Sequence, residues 1–202
     1  FELGDKYLLS LSTLQPRKNL AKLIEAFNKI SLQLGNTQIL SRGRRTQMSQ
    51  VHNLKLIIAG KIGWLAEEIL QTAKKSPFNK NIIFTGFISE KEKKVLFEHA
   101  LASISISPYE GFGIPALEAL QYGSIPLIAN DSSLPEVVGE AGILVDPQSL
   151  DSIAGGIREI LNFSAKKRAE YKKLGRERVK KFSWKKSARI VLKTLEEVAS
   201  EK

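Results

Sequence analysis

The sequence predicts an α/β domain of Rossmann-like, three-layer architecture, and three observations support that prediction. Six short apolar runs are rich in Ile, Leu and Val, as is typical of strands that are buried on both faces. Segments with helical periodicity alternate with these runs, which favours a parallel sheet with helices on both faces and right-handed crossovers. The 202 residues, of which 43% are hydrophobic, suffice for one substantial core. We therefore predict a single domain, 1–202, containing a six-stranded parallel sheet in the order 3-2-1-4-5-6.

The first half of the chain supplies three of the predicted strands. These strands lie at residues 7–12, 54–59 and 81–85. Helices are predicted at residues 20–34, 65–75 and 89–99. Ser89 and Glu92 have the spacing of a capping box, which fixes the start of the third helix. Gly35 suits a helix end, and the polar stretch 35–53 has no clear period, so we interpret it as a long, mobile surface loop.

The second half supplies the other three strands and most of the helices. These strands lie at residues 101–106, 125–129 and 142–145. One helix is predicted to begin near Pro115 and to end before Gly123, because proline favours the first turn and glycine the residue past the end. Three further helices are predicted after Ser149, Ser164 and Ser183, and the last of them is a C-terminal helix over 183–202.

The stretch 107–118 follows the fourth predicted strand and contains the best candidates for a binding site. Gly111 and Gly113 have no Cβ, so the backbone there can come close to a ligand. The amides of Gly113 and Ile114 open a helix, which makes them an anion site. Glu110 lies before this helix start, and Glu118 lies about one turn inside the helix. Amides for phosphate and carboxylates for hydroxyls together indicate a nucleotide-sugar ligand.

Topology places a pair of cations beside this stretch. In the predicted strand order the winding reverses between strands 1 and 4, and ligands of such sheets bind at the carboxyl ends of those strands. Arg17 and Lys18 follow strand 1, so they should lie near Glu110. The sequence contains no Asp-x-Asp motif. We therefore predict that no metal takes part and that Lys18, helped by Arg17, neutralises the charge that develops on a departing diphosphate.

Composition narrows the remaining classes of function. The absence of Cys excludes disulfides and thiolate metal sites, and His52 and His99 are too far apart in sequence to indicate a metal site. No apolar run approaches the ~18 residues of a membrane span. The chain begins with Phe1, so we interpret it as a piece of a longer protein.

Charge is concentrated in one segment. Residues 165–189 hold twelve Lys or Arg and two Glu, which equals the whole net charge of +10. Such a run favours a solvated helix face, and it leaves open contact with a polyanion or with an anionic membrane surface.

Four stretches together resemble a known family over nearly the whole chain. Glu-Gly-Phe-Gly-Ile-Pro-Ala-Leu-Glu (110–118) resembles the Glu-x7-Glu motif of the retaining glycosyltransferases of family 4, which have the two-domain GT-B fold. That motif belongs to the C-terminal, donor-binding half. The other three are Leu-Gln-Pro-Arg-Lys-Asn (14–19), Gly-Phe-Ile-Ser (86–89) and Ser-Ser-Leu-Pro-Glu (132–136). The resemblance therefore implies that this chain is one half of a GT-B fold.

The resemblance implies a role for each matching residue at the phosphate and sugar. Lys18 would be the phosphate cation and Glu110 would contact the sugar hydroxyls, so Lys18, Arg17 and Glu110 are the candidate catalytic residues. The amides of Phe112 and Gly113 would bind the donor as well. The loop 132–136 would lie near the donor sugar.

The resemblance also places the nucleoside. The turn Gly86-Phe87-Ile88 would hold the base, chiefly through backbone groups of Ile88, and Glu118 would bind the ribose hydroxyls. Two departures stand out. Thr13 occupies a position where many members carry Arg, and Ser132-Ser133 replaces a frequent Gly-Gly.

The expected function is donor binding for metal-independent, retaining hexosyl transfer without a protein nucleophile. The residues at 14–19 and 132–136 resemble those of the mannosyltransferase-like branch of the family. This resemblance favours GDP-mannose as the donor, and it leaves UDP-glucose and other donors open. A saccharide or lipid-linked acceptor would be bound by a missing N-terminal domain, so we expect this chain alone to bind donor without transferring sugar. We expect no cofactor and no nucleic acid, and a cytoplasmic location that leaves a peripheral contact with the inner membrane face open.

Three alternatives predict different behaviour. A sugar-nucleotide epimerase of GT-B architecture would use other acidic and His residues and lacks the Glu-x7-Glu wording. A polyanion-binding or nucleic-acid-binding module would show steep salt dependence and would lose binding on charge reversal of Lys166, Lys167 and Arg168. A nucleotide-sugar-binding domain without a catalytic role would leave the full-length protein inactive.

Overall fold

The computed structural model describes residues 6–40 and 53–200. Its six strands form one parallel sheet in the order β3-β2-β1-β4-β5-β6, which confirms the predicted order. The strands are β1 (Tyr7–Leu11), β2 (Lys55–Ala59), β3 (Ile82–Gly86), β4 (Ala102–Ser105), β5 (Pro126–Ala129) and β6 (Ile143–Val145). Both ends of every observed strand lie within one residue of the predicted range.

The helices follow the predicted alternation with the strands. They are α1 (Leu20–Leu40), α2 (Glu67–Lys75), α3 (Glu90–His99), α4 (Ile114–Gln121), α5 (Leu134–Val138), α6 (Leu150–Leu161), α7 (Ala165–Val179) and α8 (Trp184–Ser200). Ser89 and Glu92 form the predicted capping box, and the Ser149 and Ser164 side chains cap α6 and α7. None of the described helices is long and apolar enough to cross a bilayer.

Two helix boundaries differ from the prediction. Helix α1 continues through Gly35 to Leu40, so the predicted loop does not begin at 35. A glycine costs a helix interior only about 1 kcal/mol, which is too little to end a helix by itself. The rest of that predicted loop, 41–52, lies outside the described residues. Helix α2 begins at Glu67 rather than near 65, because Leu65 has a left-handed backbone with φ 50°.

The sheet separates two apolar layers. Leu8, Leu56 and Ile104 point to the layer that holds α1 and α6, whereas Leu9 and Ile57 point to the layer that holds α3 and α4. This alternation along each strand follows from the period of two in extended chains. All of these side chains are fully or almost fully buried, and burying each one contributes roughly 1.5–3 kcal/mol.

The candidate site lies at the carboxyl ends of the two central strands, β1 and β4. Strand β1 pairs with β2 along five positions, from Tyr7↔Lys55 to Leu11↔Ala59. Its pairing with β4 covers two positions, Leu8↔Ala102 and Leu9↔Ser103. The chains after β1 and β4 are therefore free to form loops side by side, at the point where the winding reverses.

Candidate functional site

The loops that follow β1 and β4 contact each other, as their predicted position required. The Ser107 hydroxyl lies 2.8 Å from the carbonyl oxygens of Arg17 and Tyr109, and it donates to either of them. Arg17 Nη1 lies 3.5 Å from the Tyr109 carbonyl oxygen. Residues 16–18 form a single 3₁₀ turn that points the two cations toward the β4 loop.

Asn19 ends that turn and connects three loops. Its backbone is left-handed, with φ 57°, a conformation that Asn adopts more readily than most residues. Its side-chain amide donates to the Pro147 carbonyl at 2.8 Å and to the Ile106 carbonyl at 3.3 Å. The loops after β1, β4 and β6 therefore meet at one side chain.

Lys18 and Glu110 form an ion pair at the junction of the first two loops. The Lys18 side chain is 13% exposed and the Glu110 side chain 12%, so the pair is largely shielded from water. Arg17 Nη1 lies 3.8 Å from the other Glu110 oxygen, and its side chain is half-exposed. The structure thus brings together the three residues that the sequence nominated as catalytic.

Two serines hold the loop that carries Glu110. The Glu110 amide donates to the Ser132 hydroxyl at 3.0 Å, and the Ser133 hydroxyl donates to the Glu110 carbonyl at 2.9 Å. Ser132 has a left-handed backbone with φ 50°, where a glycine would be unstrained. The departure from Gly-Gly to Ser-Ser therefore combines backbone strain with two hydrogen bonds to the candidate site.

The two glycines of the loop differ in what surrounds them. A Cβ on Gly113 would lie 2.5 Å from Leu134 Cδ2, and its φ is +91°, so packing and backbone both require glycine there. A Cβ on Gly111 would meet nothing within 4 Å. The space in front of Gly111 is open, which fits a position where a ligand approaches the backbone.

The start of α4 presents amides toward this open space. In the described part of the chain, the amides of Gly111, Phe112, Gly113 and Ile114 have no protein acceptor. Such unpaired amides at a helix start are an anion site. The Phe112 ring packs edge-on against Phe182, with ring centroids 5.7 Å apart, which fixes the backbone of the loop.

The turn that was predicted to hold the base follows β3. Gly86 has φ +70°, and its carbonyl accepts from the Gly60 amide at 2.9 Å. Phe87 is 74% exposed, and Lys61 Nζ lies 5.1 Å from its ring centroid. Ile88 is partly buried against the apolar cluster that contains Ala119 of α4. The turn is therefore anchored to the helix that begins at the candidate anion site.

Glu118 is paired with a lysine that the sequence did not single out. Lys93 Nζ lies 2.5 Å from Glu118 Oε1 and 2.8 Å from Glu90 Oε2. Burial would lower the pKa of Lys93, but the hydrogen bonds with Glu118 and Glu90 outweigh burial and raise the pKa above its usual value. The ammonium therefore stays charged, and it holds the carboxylate that was predicted to bind ribose.

Thr13, where the resemblance led us to look for Arg, supplies no charge to this edge of the sheet. It is exposed at the end of β1, and a Cβ on Gly63 would lie 2.7 Å from its methyl group. Gly63 thus lets the two chains lie close together at this point. Arg17 and Lys18 are the cations that the structure brings to Glu110.

Part of the basic segment has a structural task. Arg168 is half-buried and donates to the carbonyls of Leu101 at 3.2 Å and Ile160 at 2.6 Å. Arg178 donates to the carbonyls of Glu136 and Val137, next to the Ser132-Ser133 turn. These two arginines fasten α7 to the domain, so part of their hydrogen-bonding capacity is used within the fold.

Sequence reasoning missed two residues that shape this edge. Nothing distinguishes Lys93 from Lys91 and Lys94 on the same charged helix, so its contact depends on how α3 packs against α4. Asn19 had a usable signal, because an Asn that follows a short turn often adopts the left-handed conformation.

Comparison with known proteins identifies the family to which this chain belongs. The family model for glycosyl transferases group 1 matches residues 1–178. An O-antigen chain mannosyltransferase B from Escherichia coli is 30% identical over 178 residues, which are 88% of this chain and 42% of that protein. A GDP-mannose-dependent phosphatidylinositol dimannoside mannosyltransferase from Mycobacterium tuberculosis is 30% identical over 143 residues, 70% of this chain and 35% of that protein.

Solved structures of GT-B glycosyltransferases share the fold. A sucrose-phosphate synthase from Thermosynechococcus elongatus matches all of this chain and 47% of its own, with a TM-score of 0.79 and 22% identity. HepE from Anabaena, in complex with UDP and glucose, matches 96% of this chain and 49% of its own, with a TM-score of 0.77 and 17% identity. The chain spans about two fifths of the relatives named above and about half of these structures. It belongs to the glycosyl transferases group 1 family and has the Rossmann-like fold of one half of a GT-B enzyme.

Proposed function

We propose that this chain binds a nucleoside-diphosphate sugar as the donor for hexosyl transfer. The observation that supports the proposal most is the contact between Lys18 and Glu110 in the loop that leads into α4, where four amides have no acceptor in the described part of the chain. A cation opposite a helix start suits a diphosphate, because the ammonium and the amides attract negative charge from two sides.

The residues of the site have separate tasks in the proposed reaction. The bond between the anomeric carbon and the β-phosphate oxygen breaks, and the acceptor hydroxyl oxygen forms the new bond to that carbon. The hydroxyl proton passes to the departing β-phosphate oxygen, and the nucleoside diphosphate leaves. Negative charge develops on the β-phosphate, where Lys18 and the amides of Phe112 and Gly113 stabilise it. An ammonium has three donors, so Lys18 can bind a phosphate oxygen while it stays close to Glu110. Glu110 then accepts hydrogen bonds from the donor sugar.

We propose GDP-mannose as the first candidate donor and a UDP-sugar as the second. Support for the first comes from relatives whose names describe mannosyltransferases, one of them GDP-mannose-dependent. Support for the second comes from a structural neighbour that holds UDP and glucose. The acceptor would be a saccharide or a lipid-linked saccharide at the cytoplasmic face of a membrane. A second domain would bind that acceptor, so this chain alone would bind donor without transferring it, and transfer would retain the anomeric configuration.

Isothermal calorimetry with GDP, UDP, ADP and their sugars tests the proposal directly. We expect measurable binding of at least one nucleoside diphosphate, and Lys18→Ala should weaken it by about 10- to 100-fold, as loss of a charged hydrogen bond does. Lys22→Ala is the matched control, because Lys22 lies one turn further along and contacts only Gln148 in the described structure. A chain that binds none of these compounds, or equal affinities for both variants, would contradict the proposal.

A further inference from the structure

We infer that Lys93 is a positioning residue that makes the site selective for ribose, by holding Glu118 with one carboxylate oxygen free for the 2′- and 3′-hydroxyls. The inference rests on the proposed function, because it requires the nucleoside to lie between the Gly86–Ser89 turn and α4. It adds a residue from outside all four stretches that resemble the family.

The contacts of Glu118 define which of its atoms a ligand can reach. Its Oε1 accepts from Lys93 Nζ at 2.5 Å. Within residues 6–40 and 53–200, its Oε2 has no hydrogen-bond partner. The Glu118 side chain is 22% exposed and that of Lys93 is 13% exposed, so the pair is largely shielded from water while part of Glu118 stays accessible. One free, ionised oxygen can accept hydrogen bonds from the ribose hydroxyls. A deoxyribose lacks one of these hydroxyls, so the hydrogen bond from that hydroxyl to Glu118 cannot form.

Charge balance gives Lys93 a second effect on the same ligand. A nucleoside diphosphate is an anion, and an unpaired carboxylate at the ribose would repel it. Lys93 neutralises Glu118, and Glu90 in turn lies 2.8 Å from Lys93 while it is itself largely exposed. Removing Lys93 would leave Glu118 partly buried without a counter-ion and free to rotate, which costs both affinity and orientation.

The position of Lys93 in the chain connects the ribose to the base. Helix α3 begins immediately after the turn that was predicted to hold the base, and its capping box fixes where it starts. Lys93 stands one turn inside that helix and reaches Glu118 on α4. The base turn and the ribose carboxylate are therefore held at a set distance, as two groups that contact one nucleoside must be.

Helix α3 is also held in place without Lys93, by β1 and by the residue that follows α4. The Phe97 ring stacks on Tyr122, with centroids 6.0 Å apart and an angle of 20° between the planes. The Tyr7 hydroxyl donates to the Leu96 carbonyl at 2.8 Å, which fastens α3 to β1. A substitution at Lys93 is therefore expected to change the orientation of Glu118 while α3 stays in place.

Selectivity between nucleotides measures the inferred role more directly than affinity does. The probes are GDP or UDP, whichever binds the unaltered chain more tightly, together with its 2′-deoxy and 3′-deoxy analogues in calorimetry. We expect the unaltered chain to prefer the ribonucleotide by about tenfold, the effect of leaving one partly buried carboxylate without its donor. In Lys93→Met the preference should fall to about twofold or less. Lys93→Arg keeps the charge and should keep most of the preference.

Lys94→Met is the matched control on the same helix. Lys94 is more exposed than Lys93, with its Nζ 3.8 Å from Glu98, so this variant should keep the full preference for ribose. A purely structural role for Lys93 would instead weaken all three nucleotides alike and leave their ratio unchanged, and that result would overturn the inference.

Two further outcomes separate the inference from the proposal beneath it. If Lys93→Met does not fold, Glu118→Gln replaces it as the test, and an unchanged preference for ribose in that variant would overturn the inference. If the unaltered chain binds no nucleoside diphosphate, the proposed function fails and the inference fails with it. If it binds without any preference for ribose, the proposed function stands and the inference alone is wrong.

Discussion

Two lysine–carboxylate pairs flank α4 and differ in what holds them. Lys18 and Glu110 lie on a short turn and a loop, and those segments are held by hydrogen bonds in which two serines and an asparagine take part. Lys93 and Glu118 lie on two helices, α3 and α4, and the Phe97 ring of α3 also stacks on Tyr122, which directly follows α4. Both pairs are largely shielded from water. We infer that a lysine–carboxylate pair on loops can exchange its partner for a ligand group. A pair between two helices instead keeps its side chains in a fixed orientation.

Gly113→Ala should have the largest effect, because it disturbs the loop behind the first pair. Backbone strain at φ +91° and a methyl group 2.5 Å from the buried Leu134 Cδ2 should lower the free energy of unfolding by about 2–3 kcal/mol. Gly111→Ala is the control, since nothing lies near its Cβ, and it should leave stability within about 0.5 kcal/mol. Chemical denaturation measures both, and equal losses would show that the loop is not fixed at Gly113.

Exchanging the two carboxylates for amides should separate the pairs by function. Glu118→Gln should weaken a nucleoside diphosphate and its sugar equally, by about tenfold, because both contain the ribose. Glu110→Gln should leave the nucleoside diphosphate within about twofold and remove the extra affinity that the sugar provides. Calorimetry with GDP and GDP-mannose, or with the UDP pair, gives the two ratios. The same pattern in both variants would mean that the two carboxylates do not have distinct ligand groups.

Ser133→Ala should produce a smaller change confined to the first pair. Loss of its hydrogen bond to the Glu110 carbonyl should cost about 1 kcal/mol of stability and loosen the Glu110 loop. Ser132→Gly is the comparison, because release of its left-handed strain offsets the lost acceptor and should leave stability nearly unchanged. Thermal unfolding checks both, and a larger loss in Ser132→Gly would mean that its hydrogen bond outweighs the strain.

The smallest expected effect is the pH dependence of the second pair. The folded chain raises the pKa of Lys93 because hydrogen bonds with Glu118 and Glu90 outweigh its burial. The folded state thus binds this proton more tightly than the unfolded state, whose lysine pKa is about 10.5. The stabilisation is complete below that value and is lost as pH rises through the folded pKa. The stability difference between the unaltered chain and Lys93→Met should therefore be constant from about pH 7 to 9 and shrink above 10.5. A difference that grows in alkali would contradict this sign.

The sheet was predictable because its signals are local and repeated. Runs such as Leu56–Ala59 are apolar at every position, and alternation with helices leaves few strand orders that obey right-handed crossovers. The end of α1 was not predictable, because the cost of Gly35 in a helix is small beside the stability that its buried face provides.

The first pair was predictable and the second was not, for a physical reason. Lys18 and Glu110 follow strands 1 and 4, and topology alone brings the ends of those strands together. Lys93 of α3 reaches Glu118 of α4. Which lysine of α3 faces α4 depends on how far α3 is rotated about its own axis. Sequence spacing gives that rotation only to within a residue or two, which is enough to exchange Lys93 for Lys94.

The side chain of Asn19 has a consequence for how this edge can change over evolutionary time. One amide group fastens the turns after three strands, so an insertion or deletion in any of them would pull on the other two. Loop length is therefore a costly way to alter this edge of the sheet. A protein built like this diversifies by exchanging side chains on a fixed frame, and its variants should differ in residue identity at these turns long before they differ in the number of residues.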